Sequence, residues 1–77
     1  MLIEGIKMDE LARRVLNMFP QMNNDTLDLH TLLEAGGNDP AAREQVIEAV
    51  ARLSREGFLE ERGSDFYKLT NKGREAL

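Results

Sequence analysis

His30 is the only histidine in a chain of 77 residues that contains no cysteine. Protein-bound zinc is held chiefly by histidine nitrogens and cysteine sulfurs, so a site here would have to be built from carboxylates around one imidazole. Asp25, Asp28 and Asp39 each precede a helix or a strand stub, which reads as turn and capping chemistry rather than an acid–base pair. No nucleophile–base pairing, phosphate-cradling glycine loop or metal-ligand spacing is present. The residue types therefore predict a binding module and no enzyme, with no catalytic residue, metal or cofactor. The remaining chemistry belongs to cationic and bidentate side chains. Arg43 and Gln45 can make paired hydrogen bonds to base edges. They can equally stand solvated on an outer helix face where Glu48 and Arg52, four residues apart, have their own charge pairing. Arg62, Lys68, Lys72 and Arg74 can hold phosphates, or be ordinary surface charge, with Lys72 and Arg74 serving a helix end. At the level of sequence both readings of each set stand open.

Net charge is −4, and its distribution says more than its sum. Residues 1–39 hold three basic and seven acidic residues, and residues 40–77 hold seven of each. The C-terminal half can present a locally basic face, but the whole chain is no electrostatic magnet for a polyanion. Hydrophobic residues make up 42%, enough for a small core and too many for a disordered chain. At this length folding buries only about 60% of the surface of the unfolded chain, so stability is marginal. Met1 to Lys7 is too short and too charged to be a signal peptide. No apolar run approaches the roughly 20 residues that cross a bilayer. A soluble, cytoplasmic protein without membrane contact is expected, with one domain over residues 1–77 and an N-terminal arm over 1–8. Leu2, Ile3 and Ile6 are apolar for a free end, so the arm is expected to dock or, with the first helix, to form a homodimer contact.

The spacing of Met8, Leu11, Ala12, Val15, Leu16 and Phe19 predicts a first helix from about Asp9 to Phe19, with acidic residues at its start and Pro20 as its stop. Asn23-Asn24-Asp25 is turn chemistry, and Thr26-Leu27 can be a strand stub. Asp28 then caps a second helix of about two turns, with Leu29, Leu32 and Leu33 inward and Gly36-Gly37 closing it. Asp39 as cap and Pro40 in the first helical position open a third helix that runs to Glu56 and stops at Gly57. Its buried stripe is expected to be Val46, Ile47, Val50 and Leu53. Met8, Met18 and Met22 are expected to fill the core.

Gly57 to Arg62 and Phe66 to Thr70 read as the two arms of a hairpin, joined by a three-residue loop, Gly63-Ser64-Asp65. Tyr67 and Leu69 share one face of the second arm, Phe66 and Lys68 the other. Glu60 and Glu61 keep the strand edge from aggregating. Thr70 can cap a last short helix from Asn71 to Leu77. A two-stranded hairpin is barely stable alone, so it must lie against the helices before it. The order is that of a winged helix-turn-helix, an α+β fold with three helices, a two-stranded β-hairpin wing and a short C-terminal helix.

The run Leu53-Ser54-Arg55-Glu56-Gly57-Phe58-Leu59-Glu60-Glu61-Arg62 resembles the end of a recognition helix entering a wing. Tyr67 to Leu77, with Leu69-Thr70-Asn71-Lys72-Gly73-Arg74, resembles the wing exit of MarR-like and PadR-like winged-helix regulators. Leu27 to Leu33 is similar to the short strand and second helix of those proteins. The resemblance covers roughly residues 9–77 and implies a small transcriptional regulator that reads duplex DNA with its third helix and wing. It implies base-edge positions for Arg43, Glu44 and Gln45, phosphate or scaffold positions for Arg52 and Arg55, and wing positions for Arg62, Ser64 and Lys68. The acidic balance suits a second class of function, a winged-helix module that binds a protein partner and no DNA. A continuous positive stripe across the third helix and the hairpin would favour DNA, and a mixed or negative surface would favour a protein.

Overall fold

Val15, Leu16 and Phe19 are each at most 1% exposed, and they anchor α1 (Glu10–Gln21) in the core with Ala12 behind them. Burying side chains of this size contributes roughly 1.5–3 kcal/mol each. The computed structural model describes residues 10–37 and 39–77. The expected arm over 1–8, its dimer contact and Met8 lie outside the described residues.

Helix α1 does not stop before Pro20 as the sequence suggests: Pro20 sits inside its last turn. The Met22 N–H still reaches the Met18 carbonyl at 2.9 Å, and the helix ends instead at Asn23, whose φ is 54°. Asn23 donates to the Pro20 carbonyl (3.0 Å) and Asn24 to the Phe19 carbonyl (3.0 Å), the paired bonds of a left-handed helix end. Proline removes only its own donor so near the C-terminus, whereas asparagine tolerates the left-handed conformation that turns the chain away. Met18 packs against the core as expected, but Met22 is 51% exposed because it lies in this turn.

A short strand, β1 (Thr26–Asp28), leads into α2 (Leu29–Leu32), which tightens into a 3-10 turn over Leu33–Gly36. Asp28 caps α2: the Thr31 N–H donates to its carboxylate at 3.3 Å and the Thr31 hydroxyl at 2.7 Å. Gly37 closes the segment at φ 74°. The bond from the Thr31 hydroxyl holds the Asp28 carboxyl below the usual aspartate value, against a smaller opposing effect of desolvation. A lowered folded-state value means that the stabilisation is complete above the ordinary aspartate range and is lost as the pH falls through that lowered value. Asp28→Ala is expected to melt below the parent protein at neutral pH, with the gap narrowing in strongly acid solution. Thermal melts of both proteins along a pH series test this, and a gap independent of pH would refute it.

Asp39 accepts a bond from the Ala41 N–H at 3.0 Å and opens a 3-10 turn, Pro40–Ala42, that runs directly into α3 (Arg43–Arg55). The buried stripe of α3 is Val46, Ala49, Val50 and Leu53. Ile47, expected inside, is 39% exposed, and Ala49, at 2%, takes its place. The spacings 46, 49, 50 and 53 define one helical face, and a side chain next to Val46 is turned about 100° away from it.

The hairpin forms from β2 (Leu59–Gly63) and β3 (Phe66–Leu69), but the sheet has three strands, because β1 pairs antiparallel with β3 to give the order β1-β3-β2. The Leu29 N–H reaches the Asp65 carbonyl (2.7 Å) and the Leu69 N–H the Asp25 carbonyl (2.8 Å), closing the two ends of that pairing. The connection is a two-residue turn rather than a three-residue loop. Ser64 and Asp65 have φ of 51° and 65°, the positive pair that a type I′ turn needs. The register shifts between Glu61 and Gly63, so Arg62 bulges out of the ladder. Tyr67 is half-buried and Leu69 buried, while Phe66 on the opposite face is 44% exposed. Glu60 and Glu61 are exposed on an edge strand, as read.

Helix α3 ends in the same motif as α1, with Gly57 (φ 89°) donating to Ser54 at 3.2 Å and Phe58 to Leu53 at 2.9 Å. Phe58 and Leu53, which this motif brings together, are both core residues. The last helix, α4 (Asn71–Glu75), is capped by Thr70, whose hydroxyl oxygen accepts the Gly73 N–H at 3.0 Å. That hydroxyl lies 2.6 Å from the Gly57 carbonyl and 3.0 Å from that of Phe58, which share its single proton. The Lys72 ammonium donates to the Glu56 carbonyl at 2.7 Å and lies 4.7 Å from the centroid of the Phe58 ring. The run Thr70 to Gly73 is thus a clasp on the C-terminal end of α3.

Candidate functional site

The inward stripe of α3 fixes what the helix shows to solvent. Opposite Val46, Ala49, Val50 and Leu53 lie Glu44, Ile47, Glu48, Ala51 and Arg55, at helical spacing and all exposed. Carboxylates at 44 and 48 are one turn apart, a like-charge spacing that costs an isolated helix about 0.2–0.5 kcal/mol. Glu44 and Arg55 make no ion pair among the described residues. The outer face therefore carries two carboxylates, Glu44 and Glu48, interleaved with Ile47 and Ala51, and an arginine at its C-terminal end.

The seven residues singled out for DNA do not converge on one surface. Arg43 is exposed on one flank of α3, at a shallow concavity shared with His30, Glu34 and Pro40. Gln45 and the half-buried Arg52 lie on the other flank, along a groove against α1 that also contains Glu10, Leu11 and Arg14. Arg52 is already engaged by a partner. Arg55 ends the outer stripe. Arg62, Ser64 and Lys68 do come together, around a depression that they share with Phe66, Thr26 and Asp25.

Several cations are occupied locally. Arg62 faces Glu60 at 3.6 Å, Arg74 faces Asp25 at 3.7 Å and Arg14 pairs with Glu10 at 3.0 Å. All three pairs are well exposed, so each contributes little to stability. Lys72, held by a helix-end carbonyl, follows the reading that gave it to a helix end. Tyr67 has its phenol pushed above its ordinary value, first by burial and then by the carboxylates of Glu61 and Asp65. It remains protonated at neutral pH. No group of three or more His, Cys, Asp or Glu among the described residues is arranged to hold a metal ion, and no described helix is long and apolar enough to cross a membrane.

Two surface residues escaped the sequence reading, Ile47 and its neighbour Ala51. The signal that finds them is the phase of α3: once Ala49 is counted as core, Ile47 must point outward. Compared with protein-family models, curated proteins and solved structures, the chain matches none.

Proposed function

We propose that this chain is a winged-helix module that docks on protein through the outer stripe of α3. The observation that carries the reading is the composition of that stripe, with Glu44, Ile47, Glu48 and Ala51 where a base-reading helix would present donors. The winged-helix part is supported by the order helix, strand, helix, helix, hairpin, and by the clasp that the wing-exit run forms on α3. Two exposed carboxylates interleaved with two apolar side chains repel a phosphate backbone and suit a protein surface. A photo-crosslinking residue in place of Ile47 is expected to give discrete protein adducts in cells that make the chain, and the same residue in place of Arg13 is not. Adducts with nucleic acid at position 47, or equal labelling from both positions, would overturn the reading.

A duplex-DNA reading keeps one specific support, the meeting of Arg62, Ser64 and Lys68 at the hairpin. Arg62 and Lys68, the two cations at that depression, would neutralise two phosphates, and the logarithmic salt slope would be only about −1.8. No complex with duplex DNA is expected at roughly tens of micromolar protein in low salt. Salt-sensitive binding there that weakens in Lys68→Ala would transfer the function to the hairpin.

A further inference from the structure

We draw no further inference here: the strongest candidate, the outer stripe of α3, where exposed Ile47 and Ala51 are interleaved with the carboxylates of Glu44 and Glu48, belongs to the docking surface already described, and nothing in the structure shows what covers it.

Discussion

Leu69→Asp is expected to leave the chain unfolded at room temperature. Leu69 is 5% exposed, pairs with Leu59 across the hairpin, and donates its N–H to the Asp25 carbonyl at 2.8 Å. It therefore ties β3 to β2 and to the residue that leads into β1, and it belongs to the core that the helices share. Truncating a buried leucine costs about 2–5 kcal/mol through lost packing alone. An aspartate there adds a carboxylate with no partner, which must be buried charged or take up a proton at further cost. Native domains hold only about 0.05–0.15 kcal/mol per residue, about 4–12 kcal/mol for a chain of this length, so the combined loss is comparable with its whole stability. Lys68→Asp, one residue away on the opposite face, is the control and is expected to remain folded. Far-ultraviolet circular dichroism with thermal melting decides between them. A cooperative transition in Leu69→Asp near the parent temperature would mean that the inward face of β3 is misassigned.

The parts of this fold that were legible in the sequence are those that a few adjacent residues determine. Asp28, Asp39 and Thr70 cap because a short polar side chain satisfies a nearby N–H, and Gly37 and Gly57 end helices because they reach positive φ. The alternation of Tyr67 and Leu69 against Phe66 and Lys68 gave the two faces of β3 for the same reason. What misled was competition between local signals. Pro20 is a general helix stop, but Asn23 is the residue that turns the chain, and only the geometry of the last turn says which prevails. The adjacent pair Val46-Ile47 offers two phases for α3, and composition favours the wrong one, because alanine at 49 is a weaker core signal than isoleucine at 47.

The candidate site was less legible than the fold because it depends on that phase. Arg43 and Gln45 lie two residues apart, about 200° around the helix axis, so no phase of α3 sets both on one face. With Val46, Ala49, Val50 and Leu53 inward they fall on opposite flanks, and the exposed ridge between them is acidic and apolar. Arg62, Ser64 and Lys68 were placed together because a hairpin brings its turn and both strands into one neighbourhood whatever the helices do. Lys72 could not be assigned from sequence, since its partner is a backbone carbonyl at Glu56 that only the clasp brings within reach.

That clasp sets up a substitution whose sign separates local propensity from packing. Alanine is favoured over glycine inside a helix by about 1 kcal/mol, so propensity alone says that Gly73→Ala in α4 stabilises the protein. Packing says the opposite. A Cβ at position 73 would run into the Phe58 carbonyl oxygen and lie 2.6 Å from Cδ1 of Leu69. The leucine can shift, but the carbonyl is fixed at both sides: the Thr70 hydroxyl holds it at 3.0 Å and the Thr70 N–H at 3.2 Å. Relieving the clash means lifting α4 from the end of α3, which also separates Lys72 from the Glu56 carbonyl and the Phe58 ring. Overpacking of this kind costs about 1–3 kcal/mol, and with the clasp loosened the net loss should be about 2–3 kcal/mol. For a domain of this size that lowers the melting temperature by about 10–20 °C. Thermal melts of parent and Gly73→Ala read the sign directly. A melting temperature at or above the parent value would mean that α4 does not sit against the carbonyl of Phe58, and that Gly73 is tolerated there rather than required.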